Sequence, residues 1–127
     1  MSKSIWSTRV LVLFGGLALS GVLLGTARAA DPSALQQLTS TRSCVGCDLS
    51  DANLAGWTLP KSNLGGSNLS GASLYKANLA QANLTSANLQ DADLSGANLL
   101  AAVGADFTGA TTNTETTCPN AKKGPCQ

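Results

Sequence analysis

The sequence predicts an all-β solenoid, because leucine recurs with a strict five-residue period. Eleven leucines follow one another at this spacing: Leu49, Leu54, Leu59, Leu64, Leu69, Leu74, Leu79, Leu84, Leu89, Leu94 and Leu99. In an α-helix, with about 100° per residue, successive leucines would be displaced by roughly 140° and would wind around the whole helix. In a strand, side chains alternate at period two, so every second leucine would face water. A chain that turns one corner every five residues keeps all of them inward, and four such sides close a coil that stacks on the next at roughly 4.8 Å.

The residues around the leucines resemble a known family. Most leucines stand in the motif Ala-Asn-Leu or Ala-Asp-Leu, as at residues 77–79 and 82–84. This pattern, Ala-(Asp/Asn)-Leu-x-x, occurs in eleven repeats over residues 47–101 and is similar to that of the pentapeptide-repeat proteins. The resemblance implies a right-handed quadrilateral β-helix, in which each leucine and the residue two positions before it face inward. At four repeats per coil, the repeats make just under three coils, a stack roughly 14 Å tall at the sheet spacing.

The second inward position carries small residues in nine of the eleven repeats. Its occupants are Cys47, Ala52, Trp57, Ser62, Ser67, Ala72, Ala77, Ala82, Ala87, Ala92 and Ala97. Leucines from four sides already fill most of so thin a core, so larger residues would overpack it. The two exceptions, Cys47 and Trp57, fall in the first coil, where we expect the open end to leave room for a larger group.

Residues 1–29 are predicted to be a signal peptide. Lys3 and Arg9 supply a positively charged start, residues 10–24 form an uncharged apolar run, and small residues precede a cleavage site after Ala29. The apolar run is short for a membrane span, so we expect cleavage there and no stable span afterwards. The alternative is an uncleaved anchor.

Residues 30–46 are predicted to form an N-terminal cap. Asp31 suits the N-cap position, and the proline after it favours the first helical position. Leu35 and Leu38 then fall on one side of a short helix over residues 32–39. We expect this helix to lie over the open end of the first coil, because a solenoid exposes unpaired edges at its ends. The alternative is a disordered spacer.

Residues 47–110 are assigned to the repeat solenoid, and residues 111–127 to an irregular C-terminal tail. The period fails after Leu99, because a glycine occupies the next central position and the motif returns three residues late, at Phe107. We interpret the interruption as a loosened corner and Phe107 as a cover for the C-terminal end of the core. The tail is rich in Thr, Asn, Lys, Gly and Pro, which is typical of irregular chain.

The four cysteines, Cys44, Cys47, Cys118 and Cys126, all follow the predicted signal peptide. An even number in a small exported domain suggests disulfides. Cys44 stands five residues before Leu49, at a central inward position, and Cys47 occupies the second inward position of the next side. We therefore favour Cys44–Cys47 and Cys118–Cys126. A tail folded back along one side could still permit cross-pairing, so the connectivity stays open at this point.

The residue types give little support for catalysis, a cofactor or a metal site. The chain has no histidine, which excludes the usual general base and histidine-ligated metals. Its aspartates mostly fit repeat positions, where a carboxylate hydrogen-bonds the local backbone. Asp91 and Asp93 could be taken as a carboxylate pair, but we expect both to face solvent on one side. A zinc site of four cysteines is disfavoured, because the spacing between Cys118 and Cys126 is too wide for a zinc knuckle.

The charge balance disfavours nucleic acid as a partner. Residues 30–127 carry seven acidic and five basic side chains, a net charge of −2. Binding to phosphates would need a basic patch, which is absent from the sequence. Some pentapeptide-repeat proteins resemble a DNA duplex through a long acidic rod, but a stack of under three coils is far shorter than such a rod.

The expected outward side chains offer few anchors for a partner. Tyr75 is the only aromatic residue on an outer face and is the best single candidate for a partner contact. Pro60, Ala80 and Leu100 form a mildly apolar column that could meet a partner or a second copy of the chain. The alternative interpretation of both features is ordinary protein surface.

These features predict a non-enzymatic, exported structural or protein-interaction scaffold. The expected partner is a protein or a cell-envelope component, and self-association is possible. The resemblance to exported, cysteine-flanked members of cyanobacterial type implies the periplasm or the thylakoid lumen. The alternative function is a thiol–disulfide redox protein that uses Cys44 and Cys47, whose spacing matches the Cys-x-x-Cys motif.

Overall fold

The computed structural model describes residues 30–127. They form one α-helix, α1 (Pro32–Thr41), followed by a stack of coils in which the chain pairs with itself at regular intervals. The predicted signal peptide, residues 1–29, lies outside the described residues. Within residues 30–127, no helix has the length and apolar character needed to cross a membrane.

The helix expected near the N-terminal end of the solenoid is present as α1 and is two residues longer than expected. The Asp31 carboxylate accepts hydrogen bonds from the Ser33 N–H (2.9 Å) and the Ser33 hydroxyl (2.8 Å), which satisfies a free donor of the first turn. The helix ends before Arg42, which has φ 55° and donates its N–H to the Leu38 carbonyl (2.9 Å).

The buried stripe of α1 differs from the one expected. Ala34 and Leu38 are buried and belong to the same hydrophobic cluster as the eleven leucines of the five-residue period, which we call the ladder leucines. Leu35 is only half-buried. Residues four apart lie on one face of a helix, so the pair that faces the core is Ala34 and Leu38.

Four columns of parallel β-bridges run along the stack. Their members are Ser43, Asn63, Asn83 and Val103; Asp48, Asn68 and Asn88; Asn53, Ser73, Asp93 and Thr111; and Thr58, Asn78, Asn98 and Thr117. Up to Val103, each bridge joins residues twenty apart, so four five-residue sides make one turn of the chain. The pairing consists of isolated bridges and not of longer strands, because each side is interrupted by a corner after a few residues.

The core has the two inward positions that the repeat implies. All eleven ladder leucines are buried, with at most 4% of any one exposed. The small residues two positions before them are buried as well, including Ser62 and Ser67. Cys47 and Trp57, the two large exceptions, are half-buried and pack against the core cluster.

The Asn or Asp that precedes nine of the eleven leucines forms hydrogen bonds within the corners and between the coils. Asn83 is representative: its Oδ1 accepts from the Thr85 N–H (3.0 Å), two residues further along the chain. Its Nδ2 donates to Oδ1 of Asn63 in the preceding coil (3.2 Å). The local backbone hydrogen bond is the role expected for carboxylates at this position, and Asp48 and Asp93 also make it.

The pairing between coils continues past residue 110, where the solenoid was expected to end and an irregular tail to begin. Thr111 and Thr117 form bridges with the coil beneath, although their spacing falls to eighteen and nineteen residues. The N–H groups of Leu94 and Leu99 donate to the carbonyls of Thr111 and Thr117, both at 2.8 Å. These backbone bonds do not require a leucine in the upper coil, so the five-residue pattern underestimated the length of the stack. The chain then turns back as a hairpin, in which Thr117 and Lys123 form an antiparallel bridge.

Candidate functional site

The structure contains the disulfide favoured at the start of the repeats, Cys44–Cys47, with a Cα–Cα distance of 5.3 Å. Cys44 is fully buried and Cys47 is half-buried. The Cys44 sulfur lies 3.3 Å from the Ala34 carbonyl oxygen of α1. The disulfide therefore lies in the first coil, at the point where α1 packs against that coil. The Cys-x-x-Cys segment follows α1, whereas in thioredoxin-like proteins such a pair stands at the start of a helix.

The second favoured disulfide, Cys118–Cys126, closes the C-terminal hairpin, with a Cα–Cα distance of 5.4 Å. Cys118 is 5% exposed and comes directly after the carbonyl that accepts the Leu99 N–H. In the regular coils, the residue after such a carbonyl is the next ladder leucine, so Cys118 takes a leucine position. Cys44 does the same at the other end. One leucine position at each end of the stack is thus occupied by a buried half-cystine, which the sequence indicated only for Cys44.

Tyr75, the candidate partner contact, is 42% exposed. The Nζ of Lys76 lies 5.1 Å from the centroid of its ring, within the range of a cation–π contact. Tyr75 raises the pKa of Lys76 through a hydrogen bond and its charge, and the Glu115 carboxylate raises that pKa further. Tyr75, Lys76 and Glu115 therefore form one exposed polar-aromatic patch, to which the C-terminal segment contributes a residue that the repeat pattern could not place.

The apolar column expected on another side is present and is longer than expected. The Lys61 N–H donates to the Ala80 carbonyl (2.8 Å), and the Ala101 N–H donates in the same way to the Pro119 carbonyl (3.0 Å). Pro119 thus follows Leu100 in the column. Leu100 is 41% exposed, whereas Pro60 and Ala80 are half-buried.

The aspartates do not form an acid–base pair. Asp93 Oδ1 accepts from the Ser95 N–H (2.9 Å) in a local turn, and Asp91 Oδ1 lies 3.4 Å from the Gln90 amide nitrogen. In the Asp106 turn, the Thr108 N–H donates to Oδ1 (2.9 Å), which lowers the pKa of Asp106. No group of three or more Cys, Asp or Glu residues within 30–127 could hold a metal ion.

A groove of about 550 Å³ lies between the last coil and the C-terminal hairpin. Its lining includes Ala102, Phe107, Pro119, Lys122, Lys123 and Pro125, together with the second disulfide. Phe107 is half-buried and packs against the core cluster. Sequence reasoning placed Phe107 at this end but missed the groove, because the opposite wall exists only when the hairpin folds back.

The sequence profile of the family described as pentapeptide repeats (8 copies) matches residues 43–85 and 62–99. The matched segment contains the four-sided coil, the buried leucines and the asparagine columns. Residues 43–99 therefore belong to the pentapeptide-repeat family. Proteins of this family fold as right-handed quadrilateral β-helices and are generally structural or interaction proteins without enzyme activity. A search of curated protein sequences found no match.

Among solved structures, the chain is similar to a pentapeptide repeat protein from the thylakoid lumen of Arabidopsis thaliana, with 28% identity and a TM-score of 0.37. That match covers 60% of this chain and half the length of the Arabidopsis protein. A pentapeptide repeat protein from the cyanobacterium Cyanothece is 25% identical over 68% of this chain and 97% of its own, with a TM-score of 0.34. HetL from Nostoc, involved in heterocyst differentiation regulation, is 36% identical over 64% of this chain and 40% of its own, with a TM-score of 0.34.

Proposed function

We propose that this pentapeptide-repeat chain is a non-enzymatic, exported scaffold that binds a protein or a cell-envelope component. The observation that carries the proposal is that hydrogen bonds hold its outward asparagine side chains in place. Asn63, Asn68, Asn78, Asn83, Asn88 and Asn98 bond to the backbone two residues along the chain, and within each column they bond to one another across coils.

Such side chains are already ordered before a partner arrives. Ordering a flexible side chain on binding costs about 0.5–1.5 kcal/mol, so a prearranged surface loses less free energy when it binds. The carboxylates of Asp48 and Asp93 accept backbone hydrogen bonds in the same manner and are not aimed at a shared reaction centre. A rigid display surface is thus better supported than a catalytic site.

The patch of Tyr75, Lys76 and Glu115 is the proposed contact. Tyrosine is enriched at interfaces because it offers a large apolar ring and a polar tip. The lysine near the ring and the nearby carboxylate add one charge of each sign. The column of Pro60, Ala80 and Leu100 is proposed as a second surface, for a partner or for another copy of the chain.

The proposed location is the periplasm or the thylakoid lumen. Two arguments support it: the signal-like features of residues 1–29 and the use of all four cysteines of residues 30–127 in disulfides, which persist in oxidising compartments. The similar Arabidopsis protein comes from the thylakoid lumen.

The proposal is tested by quantitative capture from the exported fraction of the source organism. The immobilised protein is compared with Tyr75→Ser and with a matched control, Val103→Ser, which removes an exposed apolar side chain that belongs to neither proposed surface. We expect at least one protein or envelope component to be retained by the unchanged protein and by the control, and to be lost with Tyr75→Ser. Equal retention by both variants would reject the Tyr75 contact, and no retention above a bare matrix would reject the scaffold role.

The alternative function, thiol–disulfide exchange, is supported by the unequal burial of the first disulfide. Cys47 is half-buried, whereas Cys44 is fully buried, and exchange requires a thiolate to reach one of the two sulfurs. Structural disulfides have reduction potentials below about −300 mV, and oxidoreductases lie between about −270 and −120 mV. We expect a value in the structural range for Cys44–Cys47, measured by equilibration with dithiol buffers in a Cys118→Ser, Cys126→Ser background. A value in the oxidoreductase range would favour the redox function.

A further inference from the structure

We propose that the groove at the C-terminal end of the stack, the C-terminal groove, binds an acidic peptide segment that also carries an apolar side chain. This site goes beyond the proposed scaffold contact, because Tyr75 does not line the groove. The proposal rests on the groove's apolar wall, on the charge of its rim and on the way the hairpin is fixed.

The apolar part of the C-terminal groove comes from both of its walls. Phe107 and Ala102 belong to the last coil, and Pro119 and Pro125 belong to the hairpin. The volume of about 550 Å³ falls within the range of about 300–1,000 Å³ that is typical of ligand sites. A smaller space of about 360 Å³, which Phe107 also lines, adjoins it. An apolar side chain of a ligand therefore has a surface to cover, to which Phe107 contributes in both spaces.

The charged side chains of residues 30–127 that line the C-terminal groove itself are basic, whereas the adjoining smaller space is lined by the Asp106 carboxylate. Lys122 and Lys123 line the groove, and no Asp or Glu side chain does. The Nζ of Lys123 donates to the Glu115 carbonyl (2.9 Å), which holds that side chain in place. Neither lysine makes a salt bridge within residues 30–127. Two lysines without carboxylate partners, beside an apolar surface, are complementary to a segment in which acidic residues flank an apolar one.

The hairpin that carries the lysines is fixed at several points. The Cys118–Cys126 disulfide crosses it, and the Gly124 N–H donates to the Thr116 carbonyl (3.1 Å). The Cys126 N–H donates to the Thr112 hydroxyl (3.0 Å) in the last coil. A groove held open in this way does not have to be built when the ligand binds, so less of the binding free energy is lost to ordering.

Binding is tested by fluorescence anisotropy with a labelled octapeptide, Gly-Glu-Asp-Phe-Glu-Leu-Asp-Gly, at low ionic strength. The matched control peptide replaces each Glu by Gln and each Asp by Asn. The protein variant is Lys122→Glu, and its matched control is Lys61→Glu, the same charge change in the first coil at the other end of the stack. We expect saturable binding of the acidic peptide, at least tenfold weaker binding to Lys122→Glu, and less than a twofold change for Lys61→Glu.

The site itself is checked by the amide NMR spectrum of the unchanged protein. We expect the acidic peptide to shift the resonances of Ala102, Phe107 and Lys123 and to leave those of the first coil unchanged. Lys122→Gln serves as a second variant if Lys122→Glu lowers the thermal stability. Tyr75→Ser should bind the peptide normally, so failure of the scaffold contact and failure of this site can be told apart.

Four results would overturn the proposal. They are the absence of saturable binding, equal binding of the neutral peptide, equal weakening by Lys61→Glu and Lys122→Glu, and shifts confined to residues outside the groove. Sedimentation with phosphatidylglycerol vesicles is measured in parallel. Retention by vesicles without peptide binding would show that the lysines serve a membrane surface and would also reject the peptide site.

Discussion

Replacement of Thr116 by valine tests how the irregular last coil is held on the regular stack. Thr116 is fully buried, and its hydroxyl donates to the Leu94 carbonyl (3.0 Å). The same oxygen accepts from the Asn113 N–H (3.0 Å) and the Gly96 N–H (3.2 Å). In the coil below, the N–H at the position equivalent to Gly96 bonds to the backbone of the next coil. The Gly96 N–H instead donates to the side-chain oxygens of Thr116 and Asn113, which take the place of a backbone carbonyl.

Valine keeps the shape of Thr116 and removes its hydroxyl, which accepts the two N–H groups and donates its one hydrogen either to the Leu94 carbonyl or to Asn113 Oδ1 (3.2 Å). The Gly96 N–H retains a bond to Asn113 Oδ1 (3.0 Å), and the Leu94 carbonyl retains the Ala97 N–H (3.0 Å). The Asn113 N–H loses its recorded partner. A stranded donor costs about 1–3 kcal/mol and a lost hydrogen bond about 1 kcal/mol, whereas the added methyl group returns about 0.8 kcal/mol. We therefore expect Thr116→Val to lower the free energy of unfolding by about 2 kcal/mol.

The assay is urea unfolding with both disulfides intact, together with amide hydrogen exchange. The control is Thr117→Val, the same chemical change at the next residue, whose side chain makes no recorded hydrogen bond within residues 30–127. We expect a change within about 0.5 kcal/mol for the control. Exchange of the Asn113 amide should accelerate at least tenfold in Thr116→Val alone. The reasoning is refuted if the two variants unfold at the same urea concentration and the Asn113 amide keeps its protection.

Three further outcomes follow from single side chains. Within residues 30–127 the buried Ser62 hydroxyl has no hydrogen-bond partner, so Ser62→Ala should be neutral or stabilising by up to about 1 kcal/mol in urea unfolding. Ser67→Ala should be destabilising by about 1 kcal/mol, because the Ser67 hydroxyl donates to the Leu64 carbonyl. Gln81 has φ 60°, so Gln81→Gly should raise the unfolding free energy by about 0.5–1 kcal/mol, and a decrease would argue against strain at this corner. The Thr108 hydrogen bonds lower the pKa of Asp106. The turn that they form should therefore be fully present above the usual Asp pKa and be lost as the pH falls through the lowered pKa. An NMR titration of the Asp106 carboxyl with a midpoint at or above the usual Asp pKa would contradict this.

The five-residue period was sufficient to predict the regular part of the fold. A leucine at every fifth position can be buried only if the chain turns at the same interval, and small residues between leucines follow from the narrow core. The structure accordingly buries every member of the ladder and pairs residues twenty apart. The position of Cys44 in the same register also indicated its pairing with Cys47.

The C-terminal part could not be predicted in the same way, because its register is set by backbone hydrogen bonds and not by a side-chain pattern. Spacings of eighteen and nineteen residues leave no periodic signal at Thr111 and Thr117. Thr116 is a buried polar residue in a segment of polar composition, so nothing in the sequence separates it from its exposed neighbours. The C-terminal groove requires two walls from distant parts of the chain and was missed for that reason.

The sequence alone determined that this chain is a four-sided solenoid with leucine inside, because periodicity is a local property that every repeat restates. Tertiary structure decided how the solenoid ends. At each end a half-cystine occupies one of the leucine positions, and at the C-terminal end the Thr116 hydroxyl accepts the Gly96 N–H in place of a backbone carbonyl of a further coil. An end has no neighbouring repeat to copy, so its backbone groups are satisfied by whichever side chains the folded chain brings to them.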